Sequence, residues 1–181
     1  MNLLDYRSAV KDGITAGLPS LRTVEAFGGR VNGGELQRML AAAPAAHVAV
    51  LGVNPATQLR GGAVALSVDT AVFLTTASRP GTPRDAAALT LLDALLRLIP
   101  ENDWGLDSDA QPPTGIRAQN LYGAEIDKKG LALWAVTWRQ QIFVGGTDAA
   151  LLDAFITFHA DYDVGETADT SEPSDDVTLP Q

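Results

Sequence analysis

Residues Ile116–Val144 read IRAQNLYGAEIDKKGLALWAVTWRQQIFV, and their alternation decides the fold. From Leu131 onward, every second position gives Ala132, Trp134, Val136, Trp138, Gln140, Ile142 and Val144. Successive side chains of a strand point to opposite faces, so two of the chain's three Trp residues share one side. The other side mixes Leu133, Ala135 and Phe143 with Thr137, Arg139 and Gln141. The incoming strand, Ile116–Ile126, sets Ala118, Asn120, Tyr122, Ala124 and Ile126 on one face. Asp127-Lys128-Lys129-Gly130 joins the two, and Gly130 suits the left-handed position of a short loop. The pattern predicts a long β-hairpin with a heavy face and no chemistry on it.

Working outward, Asn2–Leu18 predicts a helix. Leu3, Tyr6, Val10, Ile14 and Leu18 recur at helical spacing, Asn2 is a cap with Asp5 three residues on, and Pro19 stops it. Gly13 and Gly17 weaken that helix. Leu21–Phe27 reads as a strand. Asn32-Gly33-Gly34-Glu35 opens a short helix to Ala43, with Leu36, Met39 and Leu40 inward. His47–Val53 is a strand, a loop follows over Asn54–Gly62, and Ala63–Ala77 alternates as a half-buried antiparallel strand does. Thr82-Pro83-Arg84-Asp85 starts a helix to Ile99, with Thr82 as cap and Ala87, Leu91, Ala94, Leu95 and Leu98 as its apolar stripe. Pro100–Thr114 is a loop, and Asp148–His159 reads as a last short helix.

No βαβ rhythm runs through this order. The simplest layered solution is α+β: a largely antiparallel or mixed sheet containing the long β-hairpin, with α-helices packed on one face. Residues 1–162 are read as a single domain. Residues 163–181 are read as an acidic tail with too little aliphatic mass to fold.

Composition narrows the function. Hydrophobic residues make up 46% and charged residues 19%, as in a globular protein. No apolar run approaches the ~20 residues of a membrane helix, so no membrane partner is expected, and no secretory signal is visible. The chain has no Cys, which removes thiolate chemistry and Cys-based zinc sites. Of 22 acidic residues, six lie at or beyond Asp163, where there is no Lys or Arg; 16 against 13 basic residues remain, so the rest carries about -3 of the net -9. With its Lys and Arg scattered, the chain has no footprint for gripping nucleic-acid phosphates.

The catalytic candidates are thin. Gly28-Gly29-Arg30 and Gly33-Gly34-Glu35 match neither a P-loop nor a dinucleotide fingerprint, and read as strand-to-helix turns. His159-Ala160-Asp161-Tyr162-Asp163 offers metal-ligand types but no second His, and reads as a helix end. No G-x-S-x-G is present. Asp107 and Asp109 read as solvated loop carboxylates. No cofactor, metal or catalytic residue is expected.

At this point a resemblance applies. The first helix, the strand Ala63–Ala77 with Ser78-Arg79, the helix Thr82–Ile99, the run Leu133-Trp134-Ala135-Val136-Thr137-Trp138 with Ile142, and the His159–Asp163 end resemble the tail-terminator family of Mu-like long-tailed phages and prophages. The resemblance spans residues 1–162. It implies a structural virion protein made in the host bacterial cytoplasm, with a lambda-like tail-terminator fold. It implies a homo-oligomeric ring, a hexamer in relatives, that caps the tail tube protein, stops its polymerisation and docks the head–tail connector. DNA passes through such a ring without sequence-specific binding, and acidic residues around the bore would ease its sliding. No family motif maps contacts to single residues, so exposed loops supply the interface candidates: Arg60, Trp104, Asp107, Lys128 and Lys129. For Trp104, burial under its own loop stands beside the interface reading. Other neck, head-completion or baseplate roles are the nearest alternatives; a cytosolic enzyme or ligand-binding domain is the alternative of another class.

Overall fold

All fourteen residues of Val64–Ala77 (β3) pair antiparallel with the fourteen of Leu131–Val144 (β5), from Val64↔Val144 to Ala77↔Leu131, without a bulge. This unbroken ladder is the axis of the fold. The computed structural model describes residues 1–29, 33–121, 123–145, 157–161 and 174–178. Contacts divide the chain into two units, Met1–Gly145 and Gly146–Gln181. The sequence reading placed its boundary at 162/163, where charge changes.

In the first unit, Leu3–Gly17 (α1) is followed by Thr23–Ala26 (β1), Gly33–Ala42 (α2) and Ala45–Gln58 (β2). After β3 come Arg84–Leu98 (α3), Thr114–Asn120 (β4), Ala124–Lys128 (α4) and β5. The five strands lie in the order β1-β2-β3-β5-β4, with β1 parallel to β2 and every other pair antiparallel. The α+β class and largely antiparallel sheet read from the sequence are what the chain adopts.

Four local readings need correction. The β4–β5 connection is not a bare hairpin loop: the strand stops at Asn120, and Ala124–Lys128 forms one turn of helix. That segment is made of helix formers, and Ile126 packs against the sheet while Asp127 pairs with Arg84. Gly130 does take the left-handed turn, at φ +70°. Next, β2 runs through Asn54-Pro55: Asn54 pairs in register with Ser67, and Pro55 falls in an irregularity between Asn54 and Thr57. Thr82 does not cap α3. Its backbone is tied to Arg79 in a tight turn, and Pro83 is the cap residue. Finally, 157–161 is not the end of a helix but a strand.

Helices also lie on both faces of the sheet. Tyr6, Val10 and Ile14 of α1 and Leu91, Leu92 and Leu95 of α3 pack on the even-numbered face, with Val68, Val72, Leu74, Val136, Trp138 and Ile142. The odd-numbered face carries a smaller core: Met39 of α2 and Ile126 of α4 join Phe27, Ala49, Ala71, Phe73, Leu133 and Ala135. This second cover exists because Phe73 and Leu133 are apolar on a face that the alternation marked as partly polar. Asn2 caps α1 in a full capping box: its side chain accepts from Leu4 N and Asp5 N, and Asp5 accepts from Asn2 N.

In the second unit, Thr157–Asp161 (β6) pairs antiparallel with Ser174–Thr178 (β7). Residues 148–156 of the expected last helix lie outside the described residues.

The two glycines of α1 have a packing reason. A Cβ at Gly13 would lie 2.7 Å from Cε3 of Trp104, and one at Gly17 2.6 Å from Cδ2 of Leu98. The indole is rigid and buried, so Gly13→Ala should destabilise the fold by about 1–2 kcal/mol in urea unfolding, although alanine is the better helix former. A stabilised variant would mean that the helix sits further from the loop.

Candidate functional site

Trp104, for which burial under its own loop stood beside an interface role, is a core residue of its own chain. It is 7% exposed, its ring lies 5.8 Å from that of Trp138, and its Nε1–H donates to Oε1 of Gln140 at 2.9 Å. The loop bends inward through left-handed backbone at Glu101, Trp104 and Asp107, a costly conformation for these residues. The Asn102 side chain holds that bend by accepting from Trp104 N at 2.7 Å. The indole N–H needed a buried acceptor, and the only signal for one was Gln140 on the heavy face of its strand.

Gln140 is wholly buried. Its Oε1 also accepts from Tyr6 OH at 3.0 Å and from Trp138 Nε1 at 3.3 Å, while its Nε2 donates to Asn102 O and Gln111 O. Tyr6 OH lies 2.9 Å from Thr70 Oγ1. Burial pushes the Tyr6 phenol up to about 12, against smaller opposing effects of the nearby Thr70 and Trp138 side chains. The unfolded chain ionises this phenol near pH 10, so its contribution is complete below pH 10 and is lost as pH rises toward 12. Alkaline unfolding followed by Trp fluorescence should therefore show stability falling across that window by roughly 2–3 kcal/mol. Tyr6→Phe should start less stable and lack that fall; an unchanged fall in Tyr6→Phe would contradict it.

The candidate surface is the part of the odd-numbered face that α2 and α4 leave bare. Asp69 of β3 accepts from Arg139 Nε of β5 at 2.8 Å and from Asn54 Nδ2 of β2 at 3.0 Å. The Arg139 hydrogen bond, then that of Asn54, holds the Asp69 carboxyl below its ordinary value. Leu51, Asp69, Thr114, Arg117, Thr137 and Arg139 line a shallow concavity of about 520 Å³ here. The sequence pattern marked Thr137, Arg139 and Gln141 as breaks in the apolar alternation without joining them to Asp69 in one surface. The signal was that all are odd-numbered on strands whose even positions are mostly apolar.

The remaining candidates fall at the two ends of the sheet. Arg60 begins the 3-10 turn Arg60–Gly62 between β2 and β3. Asp107 is exposed in a second such turn, Asp107–Asp109, close to the Ala110–Ile142 bridge and so toward the same end. Lys128 and Lys129 close α4 at the opposite end, with Lys128 exposed and Lys129 half-buried. Strands of fourteen residues set the ends roughly 45 Å apart. The structure brings Asp107 and Arg60 to one end and keeps the lysines away from both. Among the described residues no cluster of three or more metal-ligating side chains occurs, and no helix is long and apolar enough to cross a membrane. The side chains of the His159–Asp163 run lie outside the described residues.

The family model described as "Bacteriophage Mu, Gp37" matches residues 2–143. No curated protein matches the chain. Among solved structures, it is similar to the PVC sheath/tube terminator of an extracellular contractile injection system in its extended state, at 15% identity and a TM-score of 0.42. That similarity covers 96% of this chain and 64% of the other, so the chain spans less than two thirds of that neighbour's length.

Proposed function

Since this chain belongs to the bacteriophage Mu Gp37 family, we propose that it is a tail terminator: a structural protein of the virion, not a catalyst. It closes into a ring, a hexamer by the resemblance read from the sequence, that sits on the tail tube, ends tube polymerisation and receives the head–tail connector. It is made in the host bacterial cytoplasm and incorporated at the head end of the tail.

The observation that carries this reading is the family match over residues 2–143, which takes in nearly all of the first unit. The shape of that unit supports it. A stiff sheet with two contact ends suits a spacer between two different assemblies. Arg60 and Asp107 belong to one of those ends and Lys128 and Lys129 to the other, so each pair serves a different neighbour. The bare concave face turns toward the bore, with the larger helical layer outside. Its charges include Asp69, Arg117 and Arg139, so the strands line the bore with a nearly balanced surface and not the acidic one expected from net charge. Such a lining neither grips nor expels a passing duplex.

Purified protein added to polymerising tube protein should produce short tubes capped at one end by a ring, with length falling as the protein is increased. Tubes of unchanged length and bare ends would overturn the reading. A cap on a head-completion or baseplate partner instead would move the protein to that assembly.

A further inference from the structure

Among the described residues, the sheet of the first unit has two open edges, and they fit each other. One edge is β4. Leu121 N donates to Leu133 O, and the register gives Gln119↔Ala135 and Arg117↔Thr137. Antiparallel strands alternate, so the odd residues of β4 bond to β5, while Ala118 and Asn120 turn their N–H and C=O groups outward. Among the described residues, no strand pairs on that side. The strand carries neither Lys nor Pro to guard it.

The other edge is the outer part of β2. β1 takes only Ala45–Val48 of this fourteen-residue strand. Val48 O accepts from Phe27 N, so the residues of β2 that face outward are those level with the even residues of β3; on the free stretch these include Val50, opposite Thr70, and Val53, opposite Val68. No charged residue occurs between His47 and Arg60. Leu51, Val53 and Leu59, three of the exposed large apolar residues, lie here.

We infer that β4 of one copy adds to the free stretch of β2 in the next copy, so that the proposed ring is closed by a continuous sheet. This deepens the terminator reading and rests on it. Two strands, β3 and β5, separate the two edges in an antiparallel run of four, so their outward groups belong to residues whose side chains share a face. Ala118 and Val53 both lie on the α1/α3 face, opposite Val136 and Val68. The added strand therefore keeps the helices on one side of the ring. One copy offers one edge of each kind, a heterologous contact that propagates and closes. Copies related by rotation about the ring axis place β4 antiparallel to the neighbour's β2.

The offset fits as well. The middle of β4, at Arg117, is level with Thr137, Ala71 and Ala49, about five residues short of the centre of the free stretch of β2. Across four strands this is a stagger near one residue per strand, the shear at which closed barrels tilt their strands by about 36°. With Ala118 opposite Val53, Arg117 stands beside the neighbour's Asn54. From there its guanidinium reaches the neighbour's Asp69 across Gly52, which has no side chain to block it. An exposed cation on one edge thus meets a carboxylate one strand inside the other.

The chain has no cysteine, which makes the test clean. The double variant Ala118→Cys/Val53→Cys, mixed with tube protein and treated with a short bismaleimide, should give a ladder of linked species up to the full ring. Either single variant alone should give no linked product, and an equimolar mixture of the two singles should give linked dimers only. Ala118→Pro removes an outward N–H and no bond to β5, so it should keep its circular dichroism and fail to cap tubes. Self-linking by Ala118→Cys alone would overturn the inference in favour of a two-fold contact. Capping by Ala118→Pro, or rings of the double variant that do not link, would overturn it while leaving the terminator reading intact. A wild-type protein that forms no ring with tube protein would overturn both.

Discussion

One side-chain oxygen organises the first unit. Oε1 of Gln140 accepts from Tyr6 of α1, Trp104 of the loop before β4, and Trp138 of its own strand. The amide nitrogen of the same residue fixes two loop carbonyls. A buried donor left without an acceptor costs about 1–3 kcal/mol, and here three depend on one atom. Helix, loop and strand are therefore committed together. The pairing also explains why a loop rich in Pro and Asp turns a tryptophan inward against an unfavourable backbone.

That commitment makes the sheet asymmetric. The aromatic mass and the buried polar network lie on the α1/α3 face. The opposite face is closed at one end by α2 and α4 and left bare where Asp69, Arg139 and Asn54 bind one another. A surface of paired charges and hydroxyls has little drive to collapse onto another protein. The free backbone groups and the uncharged run before Arg60 have more. In the proposed terminator, assembly accordingly falls to the edges and ends of the sheet, and the bare face is left for the bore.

Much of this was legible in the sequence because it follows from period and capping. Alternation over Ala63–Ala77 and Leu131–Val144 located the two strands of the central ladder, though not that they pair with each other, and Asn2 with Asp5 located the first helix. What failed was tertiary. The run Ala124–Lys128 was read as strand and loop because Tyr122, Ala124 and Ile126 continued the alternation; helix propensity and the Arg84–Asp127 pair prevailed. Asn54-Pro55 read as a loop because proline usually ends a strand, yet an edge strand tolerates it. For Trp104 the sequence left burial and an interface role side by side, because a loop tryptophan has no periodicity to decide between them; in the fold it is buried. Gly13 and Gly17 looked like weaknesses until the side chains packed against them were known. The surface candidates Arg60, Asp107, Lys128 and Lys129 were read from loop position alone, and the end of the sheet to which each belongs needed the strand order.

The central claim is that this protein ends a growing tail tube. Electron microscopy of particles from a phage or prophage whose copy of this gene has been deleted tests it most directly. The account predicts headless tails of unregulated, often excessive length, with lengths corrected when the protein is supplied from a plasmid. Tails of normal, uniform length joined to heads in its absence would contradict it.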